Sequence, residues 1–191
     1  MKKFFQFAGL ISLGLAAVGF ILMMATHALE YSASTGGLLD GKASGWISGV
    51  AAIFGKGPSQ YSGSAFGGFI GGTSGGTFEG NPAATSLLAW IFVLVAIVIL
   101  LLGVILPLLK INLLQKVAGL LNLIAVCLLV IGGIFTFINV PVFAAANDWN
   151  NADGWALGVG WVFAGILFIA AGVIAIMPAA ADFMAKGKKK K

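Results

Sequence analysis

The sequence predicts an all-α membrane protein, a four-transmembrane-helix bundle with a Gly-rich exoplasmic cap built from the first outer loop. Three observations carry this expectation. The 191 residues are 60% hydrophobic and only 9% charged, with a mean hydropathy of +1.05, whereas an average soluble domain is about 25% charged. A soluble core of this size cannot bury so much apolar surface, so lipid must solvate most of it. Four charge-free apolar runs are each long enough to cross a hydrocarbon core about 30 Å thick. The lysines also gather where the loops between those runs would face one side of a membrane.

The first span covers residues 4–26. Lys2 and Lys3 precede it, and only Gln6 and Ser12 interrupt it. It is longer than a signal-peptide core of about 7–15 residues, which predicts a retained span. Gly9, Ser12, Ala16 and Gly19 offer small side chains for close helix contact.

Residues 27–84 form a large outer loop of different character. Fifteen of the 28 glycines lie between Glu30 and Ala84, a density that opposes helix and suits turns and close backbone contacts. Apolar islands interrupt it at Leu38-Leu39, Trp46–Phe54 and Phe66–Ile70, and Trp46, Ile47, Val50, Ile53 and Phe54 fall at near-helical spacing. The loop is expected to fold into short strands or a short helix on the membrane surface. Trp46, Ile47, Val50, Phe54, Phe66 and Phe69, with Trp149 from the second outer loop, are the candidate interaction residues.

Asn81-Pro82 ends the loop, and Thr85 or Ser86 is the expected N-cap of the second span, residues 86–109. That span is nearly solid Leu, Ile and Val, with Trp90 near its outer interface and Pro107 in its last turn. An inner turn over residues 110–116 leads to the third span, 117–139, whose interior holds Asn122 as a candidate interhelical hydrogen-bonding group. Asn139-Val140-Pro141 is expected to end this helix, and residues 140–153 form the second outer loop. The fourth span, 154–178, carries Gly158, Gly160, Ala164 and Gly172, a small-residue pattern suited to helix packing at the bundle core. Pro178 is expected to interrupt it. The cytoplasmic tail, residues 179–191, holds Lys186, Lys188, Lys189, Lys190 and Lys191. These lysines anchor topology or hold anionic lipid, at about 1 kcal/mol per lysine near the surface.

This threading places both termini on the cytoplasmic side of a plasma or cytoplasmic membrane. Of the eleven lysines only Lys42 and Lys56 then fall outside, as the positive-inside bias requires.

The chemistry expected is sparse. The predicted spans hold no Asp, Glu, Lys or Arg, so no intramembrane proton relay is expected. His27 is the single histidine, placed at the outer end of span one near Glu30, where a pH-sensing contact is the sharper alternative to an ordinary interfacial histidine. Cys127 is the single cysteine and is expected to act as a small apolar packing residue. Gly71, Gly72, Gly75 and Gly76 lack the Lys-Ser/Thr of a phosphate loop. The absence of arginine disfavours nucleic-acid recognition. The expectation is a protein with no catalytic residues, no cofactor and no metal.

The layout of four spans, a large first outer loop and a smaller second one resembles the claudin-like tetraspan superfamily. The segment Ser44-Gly45-Trp46-Ile47-Ser48 is similar to the tryptophan-bearing stretch of the claudin first loop. The paired cysteines of that loop have no counterpart here. The resemblance implies a left-handed four-helix bundle with an outer sheet-like cap that mediates lateral or trans contacts. The function expected is a non-enzymatic membrane scaffold or assembly protein, embedded in the lipid bilayer and partnered by a second copy or another membrane protein. The alternatives are a pore-forming or channel (holin-like) subunit and an accessory subunit of a larger membrane complex.

Overall fold

The computed structural model describes residues 2–35, 41–65, 70–105, 112–149 and 152–187. In chain order these form α1 (Lys2–Ala25), β1 (His27–Thr35), β2 (Gly41–Ser48), α2 (Gly49–Phe54), β3 (Lys56–Ala65) and β4 (Ile70–Glu79). There follow α3 (Ala84–Ile105), α4 (Asn112–Phe137), α5 (Asn139–Ala146), β5 (Trp155–Leu157) and α6 (Val159–Gly187). The chain divides into two compact units. One holds Met1–Phe20, Ala89–Ile134 and Ala164–Lys191, and the other Ile21–Leu88 and Phe135–Phe163.

Four helices are long and apolar enough to cross a membrane: Phe7–Ala25, Ala84–Ile105, Gly119–Phe137 and Val159–Ala180. They fit a multi-pass membrane protein. Their burial is arranged for lipid, with small side chains inside and large aliphatic ones outside. On α1, Ala8, Ser12 and Ala16 are buried while Phe7, Leu10 and Val18 are exposed; on α3, Ala89, Val93 and Ala96 are buried while Leu94, Val95 and Val98 are exposed. Exposing so much contiguous aliphatic surface to water would be strongly unfavourable, whereas exposing it to acyl chains is not.

Within the first unit the contacts run in a ring. Ser12 Oγ donates to the Ala171 carbonyl at 2.7 Å, joining α1 to α6. Gly133 of α4 lies so close to α6 that an added Cβ would meet the Gly165 carbonyl at 2.9 Å. Gly103 of α3 faces the Asn122 side chain of α4, and the rings of Phe20 and Trp90 sit 6.3 Å apart between α1 and α3. Small residues therefore set the interhelical distances, which is how helices associate where no hydrophobic force separates protein from solvent. Ala164, Phe168 and Gly172 lie on the buried side of α6, and Asn122 is buried at the α3–α4 contact. Cys127 is exposed on α4, beside Leu123, Ile124 and Ile131 of its outer face, instead of packed within.

The second unit corrects the all-α class but contains strands of the kind expected for the Gly-rich loop. The Gly-rich segment, together with Trp155–Leu157, forms a five-stranded antiparallel sheet in the order β4-β3-β2-β1-β5. Glycine disfavours strands when judged residue by residue. Here long uninterrupted ladders satisfy the backbone instead, with β3 and β4 paired from Lys56↔Glu79 to Ala65↔Ile70. The near-helical island at 46–54 is divided between two elements. Trp46 and Ile47 belong to β2, and only Gly49–Phe54 is helical. Ser48 caps α2, its Oγ accepting from the Ala51 amide at 3.3 Å, and Gly55 ends it in the left-handed conformation at φ 77°.

Three further boundaries differ from the sequence reading. Trp155–Leu157 pairs with β1 as a strand, so the last long helix starts at Val159 and not at Gly154. The stretch after Asn139 is helical to Ala146, because Pro141 falls in the first turn, where its missing N–H costs nothing. Pro178 lies inside α6, which continues to Gly187, since one lost hydrogen bond bends a helix without ending it. Phe66, Phe69, Pro107 and Lys188–Lys191 lie outside the described residues.

The packing around α2 makes a direct test possible. A Cβ on Gly49 would collide with the Met23 carbonyl, whereas one on Gly72 meets nothing within 4 Å. Gly49→Ala is expected to destabilise by about 1–3 kcal/mol or more, and Gly72→Ala to stabilise by up to about 0.5–1 kcal/mol. Thermal unfolding of both variants in one detergent measures the order, and equal midpoints would contradict this packing.

Candidate functional site

The alternation along β1, β2 and β3 sorts the sheet into two faces. Ser32, Ser44, Ser62 and Thr73 are direct partners across β1, β2, β3 and β4. Opposed residues point to the same side, so these four hydroxyls form a row across the sheet. The adjoining row on that face is Glu30, Trp46 and Gln60. Here the Trp46 indole N–H donates to Gln60 Oε1 at 2.8 Å, which fixes the ring and leaves the Gln60 amide N–H groups free to donate elsewhere.

His27 reaches this face through a backbone irregularity. The β1–β2 register shifts between His27 and Leu29, and such a bulge re-aims a side chain. The imidazole stacks on Trp46 with centroids 4.2 Å apart and planes 9° apart, and its Nδ1 lies 3.5 Å from Glu30 Oε1. Both imidazole and carboxylate are 44% exposed. The contact between His27 and Glu30 anticipated from sequence is therefore present, at the start of β1 two residues beyond the end of α1. Together these residues line an open groove of about 640 Å³.

The opposite face is apolar where it meets the rest of its unit. Leu29 and Ile47 are partners and are buried, as are Ala51, Ala52 and Ile53 of α2. Tyr31 and Tyr61 flank Gly45 further along and border a second groove of about 550 Å³. An aromatic chain secures the second loop: Tyr31 meets Trp155 at 5.2 Å, Trp155 stacks on Trp149 at 4.7 Å, and Trp149 meets Phe143 at 5.5 Å. Asn81 and Asn147 clamp the neighbouring turns. Asn147 Oδ1 accepts from the Asn81 amide at 2.9 Å, Asn147 Nδ2 donates to the Asn81 carbonyl at 3.0 Å, and Asn81 Nδ2 donates to the Ala146 carbonyl at 2.8 Å.

The sequence-derived candidates are thus dispersed. Ile47 is core and Val50 is half-buried on α2, while Phe54 is 47% exposed at the end of that helix. Trp46 lines the polar groove, and Trp149 belongs to the aromatic chain. Gly158 and Gly160 lie against the His27 carbonyl and the Thr26 side chain, apart from the contact made by Ala164 and Gly172 within the helical unit. Lys186 lies in α6. The hydroxyl row was not anticipated. Its signal is the period-two spacing of Glu30, Ser32 and Ser34, repeated in Gln60, Ser62 and Ser64.

Outside the groove, an exposed ion pair closes the β3–β4 ladder. Lys56 Nζ reaches Glu79 Oε1 at 2.5 Å. The hydrogen bond from Lys56, and then its charge, hold the Glu79 carboxyl below the ordinary glutamate range.

No protein-family model matches the chain, and no significant match is found among curated proteins.

Two measurements test this geometry. The Glu79 carboxyl should titrate below an ordinary glutamate by NMR, and Lys56→Met should raise its midpoint. Because the folded-state value is lowered, the pair's contribution is present at neutral pH and is lost as pH falls through that value; an unchanged midpoint would remove the pair. Asn147→Ala should cost about 1–3 kcal/mol through loss of its amide hydrogen bonds, read as a lowered unfolding midpoint.

Proposed function

We propose that this chain is a non-enzymatic integral membrane scaffold of claudin-like plan, whose sheet makes lateral contacts with a second copy outside the membrane, both termini being cytoplasmic. The observation that carries the reading is the edge of β4. Among the described residues β4 has a strand on one side only, and residues 71–77 are all exposed.

Edge strands are usually guarded by lysine, proline, a bulge or shortness. β4 is ten residues long, has no lysine or proline, and pairs with β3 without a register shift. Among the described residues no strand pairs with its outer edge, which presents backbone groups in extended form. Another strand can join by main-chain hydrogen bonding, the mode called β-augmentation. In an all-antiparallel sheet, a twofold axis beside β4 would set β4 against its own copy and continue the pattern. Gly72, Gly75 and Gly76 have no atoms within 4 Å of an added Cβ, so internal packing does not require glycine there. Bare glycine does admit a close-lying partner. The four apolar helices supply the membrane anchorage that such a scaffold needs.

The test is the mass of the complex extracted from native membranes in a mild detergent. The wild type should run as a dimer or larger homo-oligomer, and a Gly72→Lys/Gly75→Lys pair should run as a folded monomer. A wild type that is monomeric throughout, or an oligomer indifferent to the lysines, overturns the reading.

A further inference from the structure

We infer that the polar face of the sheet is a binding groove for an extended, uncharged polysaccharide strand. This goes beyond the scaffold reading and uses a different surface, the face of the sheet instead of the edge of β4.

The first argument is the hydrogen-bonding inventory. Ser32, Ser44, Ser62 and Thr73 stand in one row over four strands. With strands about 4.8 Å apart, the row is about 14 Å long. One strand interval is close to the length that a pyranose unit adds to an extended glycan, so successive sugars can meet successive hydroxyls. Among the described residues only Thr73 and Ser62 bond to one another through their hydroxyls, at 3.2 Å. Thr73 donates there, leaving the Ser62 O–H free to donate outward. Ser32 and Ser44 are exposed, so their hydroxyls are accessible to a ligand. A hydroxyl both donates and accepts, which suits a ligand made of hydroxyls.

The second argument is the groove wall. Trp46 stands in the next row, held by Gln60 on one side and stacked by His27. A ring immobilised before binding loses little entropy on contact, and its flat apolar surface matches the C–H face of a sugar. Glu30 and the remaining Gln60 N–H groups add an acceptor and a donor beside it.

The third argument is what the lining lacks. Among the described residues no lysine or arginine lines this groove. Its imidazole, His27, lies 3.5 Å from Glu30, and Lys42 stands one row beyond Ser44, so the salt dependence measured below separates an uncharged ligand from an anionic one. Among the described residues the groove's aliphatic contribution is Ala156, without Leu, Ile, Val or Met. Protein interfaces are centred on apolar and aromatic anchors in desolvated pockets, whereas the aromatic residues of this open groove, Trp46 and Tyr31, stand among hydroxyl and amide side chains. A groove that crosses four strands also exceeds what a single headgroup needs, which favours a strand of sugars over a glycolipid head.

The experiment uses the full-length protein in lipid nanodiscs, because maltoside detergents would compete. Cellohexaose, maltohexaose and chitohexaose are titrated calorimetrically. At least one should bind, with an affinity unchanged on raising the salt. Trp46→Ala and, separately, Ser44→Val/Ser62→Val should each weaken it tenfold or more. The serine pair is on the exposed face, so its folding is checked by an unaltered unfolding midpoint. No binding by any of the three at millimolar concentration overturns the inference. So does binding that the variants leave intact, or binding that falls steeply with salt, which would reveal a charged ligand. The homo-oligomer mass of the Ser44→Val/Ser62→Val variant should remain that of the wild type. The groove and the β4 edge therefore stand or fall separately.

Discussion

The end of α1 must dispose of backbone carbonyls that have no partner within the helix, and the second unit is arranged around that requirement. The Met23 carbonyl in the last turn accepts from the Trp161 indole at 2.8 Å; just beyond the helix the Thr26 carbonyl accepts from the Gly49 amide at 2.8 Å, and in β1 the Ala28 carbonyl accepts from the Gly158 amide at 3.0 Å. An unsatisfied carbonyl in these buried surroundings would cost several kcal/mol. These three bonds draw the β2–α2 junction and the start of α6 onto one short stretch of chain. Gly49 is glycine because its Cα lies against the Met23 carbonyl, and Gly158 because it lies against His27. The same crowding accompanies the register shift that turns His27 onto Trp46. The satisfaction of one helix end thus propagates to the chemistry of the polar face.

The helices were legible because lipid imposes a simple rule, and Phe7–Ala25 or Ala84–Ile105 satisfies it by composition alone. The sheet was less legible for a physical reason. Strand recognition leans on β-branched and aromatic residues, and β4 reads Ile-Gly-Gly-Thr-Ser-Gly-Gly-Thr-Phe-Glu. Its stability comes from pairing with β3, a nonlocal property that no single residue reports. The alternation of Ser, Thr, Gln and Glu on one face was present in the sequence, but glycines at Gly45, Gly63 and Gly72 interrupted the apolar row opposite it and made it less conspicuous. Ile47 illustrates the opposite error. Its bulk suggested a surface anchor, and the period-two pattern of β2 turned it inward beside Leu29.

Other polar groups became meaningful only through tertiary proximity. Asn139 is fully buried, and its Oδ1 accepts from Thr85 Oγ1 at 3.1 Å and from Ser86 Oγ at 2.5 Å. Thr85 and Ser86 read as helix caps in sequence, yet α3 begins at Ala84 and their hydroxyls serve a residue 54 and 53 positions away. Their spacing carries no sign of this partner. A buried trio of this kind fixes where α4 gives way to α5 at Ile138, because moving Asn139 would strand two hydroxyls without an acceptor.

The distribution of burial also separates what the sheet needs from what it offers. Leu29, Ile47 and the α2 alanines bury the end of the sheet nearest α1, and the aromatic chain braces β1 and β5. Toward β4 that support fades, and residues 71–77 are all exposed. Each glycine in a strand costs about 0.5–1 kcal/mol relative to alanine, and Gly72, Gly75 and Gly76 incur that cost where no neighbour demands it. Low apolar burial and exposed backbone are the marks of a segment with low local stability, the class from which binding elements are drawn. The outer strands therefore rest on their backbone ladders more than on apolar burial, with the inner strands holding them in register.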